Sequence, residues 1–125
     1  MLCRSVVGLP LWQITISRSL KDLKKRPVIL ITSRVHSGET PASFIFRGIF
    51  DFLTSERKEA KLLRRYYTFI LVPCLNPDGV ISGNYRNSIA GVDLNRQWIN
   101  PDEEFHPEIY HLKQHLTYLT KDEKR

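Results

Sequence analysis

The sequence has 125 residues, of which 42% are apolar and 26% charged, and its formal net charge is +6. That length fits one domain or part of one, and the apolar share is enough to build a packed core. A disordered, collagenous or disulfide-scaffold chain is excluded.

The positive balance favours acidic partners, but much of it lies in short clusters at 21–26, 57–65 and 121–125, which read as solvated helix faces and linkers. Residues 1–12 are mildly apolar and are broken by Arg4, Gly8 and Pro10, so no signal peptide is expected. No apolar run approaches the roughly 18 residues of a membrane helix. The two cysteines, Cys3 and Cys74, form no C-x-x-C pattern, and Cys74 follows an apolar run, which reads as a buried free thiol in a reduced intracellular setting.

In chain order, residues 12–17 (WQITIS) alternate and are β-branched and aromatic, so a strand is expected there. A polar turn or linker follows at 18–26. Pro27 then opens a near-continuous apolar run at 28–33, typical of a strand buried on both faces. His36-Ser37-Gly38-Glu39 forms a loop directly behind it. Thr40 and Pro41 read as a helix start, and Phe44, Ile45, Ile49, Phe52 and Leu53 recur at helical spacing, predicting a core-packed helix over 41–54. Residues 56–65 read as a charged continuation or a second short helix, with Leu62 and Leu63 making its apolar contact.

Residues 67–72 read as another buried strand, and Asn76-Pro77-Asp78-Gly79 as a type I turn. Residues 80–100 form a long irregular segment, and such segments inside compact domains are usually functional. A helix is expected over 106–119, with His106 capping it. Buried strands alternating with helices define an α/β class with a largely parallel or mixed sheet, and such sheets hold ligands at the strands' C-terminal ends.

Two groups of residues carry chemistry. His36 and Glu39 place an imidazole and a carboxylate three residues apart, where a turn through Gly38 can bring both to one metal ion. The other reading is an exposed histidine beside a carboxylate that favours a helix N-terminus. Asn95 and Arg96 offer several donors with the planar fork that matches a carboxylate. Arg86 could reach a carbonyl oxygen and stabilise developing negative charge. Taken alone, these are also compatible with surface arginines in an ordered loop. His111 and His115, spaced i, i+4, could share a helix face, but neither is assigned as a zinc ligand.

Read together, His36-Ser37-Gly38-Glu39-Thr40, Leu75-Asn76-Pro77-Asp78-Gly79-Val80, Gly83-Asn84-Tyr85-Arg86 and Gly91-Val92-Asp93-Leu94-Asn95-Arg96-Gln97-Trp98, in this order, resemble the zinc metallocarboxypeptidase family and its cytosolic branch. The resemblance covers nearly the whole chain. It implies a zinc-carboxypeptidase-like fold, with residues 1–26 as a leading strand and linker and 27–125 as the core of a partial catalytic domain.

It further implies that His36 and Glu39 are zinc ligands, that Arg86 is the catalytic arginine polarising the scissile carbonyl, and that Asn95 and Arg96 bind the substrate's terminal carboxylate. Asp93 would stand behind His36 and set its tautomer. The cofactor would be Zn2+, and the substrates acidic C-terminal tails, tubulin's among them, losing glutamate in the cytoplasm. No nucleic acid or membrane partner is expected. Ser37 stands where the branch usually has proline.

The family's third zinc ligand and its general-base glutamate are expected beyond Arg125. The chain is therefore read as truncated before the last strands, with a sheet edge and an apolar helix face left open, and as inactive alone. The alternative is a non-catalytic module that captures acidic C-terminal peptides.

Overall fold

The computed structural model describes residues 1–19 and 26–120. The basic cluster at 21–25, most of the expected linker and the tail at 121–125 lie outside the described residues. The elements are β1 (Cys3–Arg4), β2 (Pro10–Leu11), β3 (Ile14–Ile16), β4 (Val28–Thr32), α1 (Pro41–Thr54), α2 (Lys58–Tyr66), β5 (Thr68–Val72), α3 (Pro77–Ile81), a 3₁₀ turn (Leu94–Arg96) and α4 (Pro107–Thr120).

Three strands make a mixed sheet in the order β3-β5-β4. β5 pairs parallel with β4, from Val28 opposite Thr68 to Thr32 opposite Val72, and antiparallel with β3, with Ile14 opposite Leu71. One pairing of each kind makes the sheet mixed, as expected for the class. Parallel neighbours need a crossover, and α1 and α2 supply it between β4 and β5. Every residue of β5 is buried, which follows from its central position with both faces covered. Its side chains divide by the period of two. Phe69 and Leu71 pack with Ile16, Phe46 and Leu53 on the α1 side. Val72 packs with Cys3, Leu11, Leu94, Ile109 and Leu112 on the α4 side. Full burial of each such aliphatic side chain contributes about 2 kcal/mol.

Helix α1 has the expected bounds, with Pro41 at its first turn. It ends where Ser55 turns extended, and Arg64 of α2 donates from Nη1 to the carbonyls of Leu53 (2.5 Å) and Ser55 (2.9 Å). A cation on the last carbonyls of a helix satisfies orphan acceptors and opposes the macrodipole. The periodicity misassigns two core positions: Phe44 is 80% exposed and Ile45 is 65% exposed, while Phe46 is buried. The stripe of apolar residues on α1 is wider than the sheet face it covers, so only part of it reaches β5. Leu62 is likewise exposed, and Ala60 is the buried residue of α2.

The Asn76–Gly79 stretch is not an isolated turn. Asn76 Oδ1 accepts from Gly79 N (2.9 Å), Pro77 occupies the first helical position, and the chain continues as α3 to Ile81. The same residues suit a type I turn and a capped helix start, and here the helix forms. His106 does not cap α4 with its side chain. Its Nδ1 accepts from Asp102 N (3.1 Å), bracing the loop in front of the helix.

Candidate functional site

The site lies just beyond the C-terminal ends of β4 and β5. Backbone pairing continues past both strands, through Ser33 N to Val72 O (3.0 Å) and Leu75 N to Ser33 O (2.8 Å), so the two exiting segments leave side by side. Arg34 takes a left-handed conformation, φ 56°, uncommon for a residue with a side chain. Its guanidinium donates to Ser37 O (Nε 2.9 Å, Nη2 2.5 Å) and to Ser43 Oγ (3.0 Å). These bonds fasten the 36–39 loop to the first turns of α1.

A second strap crosses that loop. Ser37 Oγ donates to Asn84 O (2.5 Å), and Gly38 N donates to Tyr85 O (2.6 Å). The Tyr85 ring lies so close that a Cβ on Gly38 would meet its Cδ2 at 2.3 Å. Any larger residue at 38 requires that ring to shift. The strap brings Arg86, the next residue, over the site.

His36 is 7% exposed and stands between two carboxylates. Its Nδ1 is 2.9 Å from Glu39 Oε1, and its Nε2 is 3.0 Å from Asp93 Oδ1. Asp93 is saturated with donors. Oδ1 also accepts from Asn95 N (2.8 Å), and Oδ2 receives Arg86 Nε (3.0 Å) and Nη2 (2.7 Å). Loss of hydration is the largest single influence on Asp93 and disfavours its charge. The bonds from Asn95, His36 and Arg86 together outweigh it and hold the carboxyl below its ordinary value. Asp93 also caps the 3₁₀ turn that carries Asn95 and Arg96, and the fully buried Leu94 anchors that turn in the core. Asn95 and Arg96 are both exposed.

Of the six expected site residues, Glu39, His36, Asp93 and Arg86 are joined through their side chains, and Asn95 and Arg96 are tied to Asp93 through backbone N–H groups, with Arg96 Nη1 turned to Asn95 O (3.4 Å). Arg86 engages Asp93, through Nε and Nη2. His111 and His115 take no part: His111 Nε2 lies 4.0 Å from Glu103 Oε1, and His115 Nε2 is 3.1 Å from Gln13 Nε2. Reading the sequence missed Arg34, Tyr85 and Trp98. Trp98 lies two residues past the end of the 3₁₀ turn, where no local period points to it. Its Nε1 donates to Asn95 Oδ1 (3.2 Å).

The His36 and Glu39 pair fits a zinc ion. A neutral imidazole has one N–H. In the tautomer with that N–H at Nε2, donated to Asp93, the Nδ1 lone pair would face a carboxylate oxygen of Glu39, an arrangement that a cation between the two would relieve. Two electron-rich atoms turned towards one point, with a carboxylate behind the ring, are the donor arrangement zinc favours. Cys74 stays out of this chemistry. Both cysteines are free, and burial pushes both thiols above their ordinary value, Cys3 to about 11.

Comparison with known proteins identifies the family. The chain is 48% identical to cytosolic carboxypeptidase 1 of Danio rerio over 118 residues, covering 90% of this chain and 10% of that protein. It is 46% identical to cytosolic carboxypeptidase 6 of Homo sapiens over 116 residues, covering 93% of this chain and 23% of the relative. Among solved structures, a metallo-carboxypeptidase from Burkholderia cenocepacia superposes with a TM-score of 0.85 at 32% identity, over 94% of this chain and 32% of that one. A metallo-carboxypeptidase from Pseudomonas aeruginosa, solved in complex with (2-guanidinoethylmercapto)succinic acid, gives a TM-score of 0.84 at 29% identity, over 93% of this chain and 30% of the other. The chain thus spans only a fraction of the length of these relatives. The zinc carboxypeptidase family profile matches residues 2–122, nearly the whole chain and every residue of the His36–Asp93 cluster, and this chain belongs to that family.

Proposed function

We propose that this chain forms the first part of a zinc carboxypeptidase active site that removes C-terminal residues, glutamate above all, from acidic protein tails such as those of tubulin, in the cytoplasm. The reading rests most on one observation: His36 Nδ1 and Glu39 Oε1 converge at 2.9 Å while Asp93 occupies the opposite ring nitrogen at 3.0 Å. An unspecialised surface histidine has no need of that arrangement.

In this reading His36 and Glu39 hold zinc, which when bound supplies Lewis acidity and an activated water. Asp93 keeps the proton on His36 Nε2 and so keeps Nδ1 free for the ion. Arg96 and the Asn95 amide receive the terminal carboxylate, whose planar geometry suits the guanidinium fork. Arg86 leaves Asp93 and donates to the scissile carbonyl oxygen as negative charge develops there. The succinic acid group in the Pseudomonas relative is a dicarboxylate, which supports a carboxylate-seeking pocket in this fold. The net charge of +6 favours acidic substrates, and the names of the relatives support a cytosolic setting. The third zinc ligand and the general base are expected outside residues 1–125, so this chain alone is expected to bind more than it cleaves.

The test is calorimetric titration of the chain with zinc and then with a glutamate-terminated peptide, beside the variants His36→Ala and Arg96→Ala. The expected result is zinc uptake lost in the first variant and free-acid peptide binding lost in the second. Zinc uptake unchanged by His36→Ala would remove the metal-centre reading. Peptide binding that persists at full strength after chelation would favour a module that captures acidic C-termini without cleaving them.

A further inference from the structure

Trp98 is half-buried, with its ring packed against the core cluster of Leu11, Leu75, Leu94 and Ile109, while its indole nitrogen reaches out of that core to Asn95. The identity of the Asn95 atom at this contact follows from chemistry. An indole N–H can only donate, and the amide nitrogen of asparagine has no lone pair to offer, so the partner at 3.2 Å is the oxygen Oδ1. With Oδ1 held at Trp98, the NH2 edge of the amide is the one left for a ligand. The backbone of the same residue is held separately, by Asn95 N donating to Asp93 Oδ1 at 2.8 Å. Asn95 is exposed, and without the indole its amide would present oxygen and nitrogen to solvent interchangeably. A carboxylate ligand is repelled by the oxygen and bound by the nitrogen.

We propose that Trp98 is a positioning residue that orients the Asn95 amide as a donor and so makes the Asn95–Arg96 turn selective for a free terminal carboxylate over a neutral terminal amide. The proposal rests on the reading of Asn95 and Arg96 as the carboxylate clamp. Trp98 acts through Asn95 and touches no ligand itself. Its indole N–H is the operative group, so phenylalanine at this position keeps the packing and loses the function.

The test measures binding of one acidic peptide in two forms, with a free C-terminal carboxylate and with a C-terminal amide, to the full chain and to Trp98→Phe, Asn95→Ala and the double variant. Free-acid affinity should fall about tenfold in Trp98→Phe, the scale of one hydrogen bond to a charged ligand, while amide binding stays level. The double variant should lose no more than Asn95→Ala alone, because the two residues act as a unit. The chain has two tryptophans, Trp12 and Trp98, so the Trp98 indole N–H resonance is identified by its loss in Trp98→Phe, and it should shift in Asn95→Ala. Trp98→Phe with the preference for the free acid intact, beside Asn95→Ala without it, would overturn the positioning role and leave the clamp standing. No preference for the free acid in the unsubstituted chain would remove the clamp itself, and the proposal with it.

Discussion

Asp93 Oδ1 lies 3.0 Å from His36 Nε2, although 57 residues separate them in the chain. The contact joins the loop behind β4 to the 3₁₀ turn before α4, and it connects the proposed metal ligand to the proposed carboxylate clamp through one side chain. Asp93 also receives Arg86 and caps its own turn. Removing its charge should therefore be felt at the metal first. Asp93→Asn should weaken zinc affinity by about 10- to 100-fold, measured by competition with a chromophoric chelator. Unchanged affinity would mean that the ring is oriented by packing alone.

The Tyr85 ring against Gly38 makes a second prediction. Gly38→Ala puts a Cβ 2.3 Å from that ring, so the ring, or the strap that carries it, must shift. Overpacking of this kind costs about 1–3 kcal/mol, and thermal unfolding should show a midpoint lowered by several degrees. Tyr85→Ala, which clears the space, should recover much of the loss in the double variant. A Gly38→Ala protein as stable as the parent would show that the strap does not bear on the loop.

Glu108 gives a pH dependence unrelated to zinc. It is 1% exposed, and its Oε2 has no hydrogen-bond partner among the described residues. Burial, reinforced by the charge of Asp78 and only partly offset by a backbone hydrogen bond, raises its pKa to about 7. A carboxyl whose folded value exceeds its unfolded value binds more protons when folded. Its contribution to stability is complete below the ordinary carboxylate range and disappears as pH rises to about 7. Between pH 5 and pH 7.5 the unsubstituted chain should lose stability that Glu108→Gln does not lose. Denaturant titrations at the two pH values check this, and parallel behaviour of the two proteins would contradict it.

Much of the fold was legible because the long elements have long periods. The apolar runs at 28–33 and 67–72 became β4 and β5, although β4, expected to be buried on both faces, is an edge strand only partly buried along its length, and the helices at 41–54 and 107–120 lie where the spacing put them. The pair of two-residue strands β1 and β2 was invisible, since two residues carry no period. Phe44 and Ile45 satisfied the helical spacing and yet face outward, because periodicity fixes a face of the helix and not how much of it is covered. At the site, the His36–Glu39 pair was legible from i, i+3 spacing, and its link to Asp93 came only through family resemblance. The hold of Arg34 on Ser37 and Ser43 was not legible at all. It depends on a left-handed residue and on long-range placement that no local pattern records.

The clamp is tested by charge geometry. Arg96→Lys keeps the charge and loses the planar fork. If the terminal carboxylate is received by two parallel bonds, lysine should restore only a small part of the affinity lost in Arg96→Ala, as read by fluorescence anisotropy with a labelled acidic peptide. Full rescue by lysine would show that general attraction, and not a shaped carboxylate site, holds the peptide.

The orientation of one imidazole decides the central claim, and long-range proton–nitrogen correlation spectra of His36, recorded with and without zinc, read it directly. A zinc-dependent shift at Nδ1 is expected, with Nε2 remaining protonated against Asp93. Zinc entering at Nε2, or a spectrum in which His36 is unmoved while His111 and His115 respond, would contradict it.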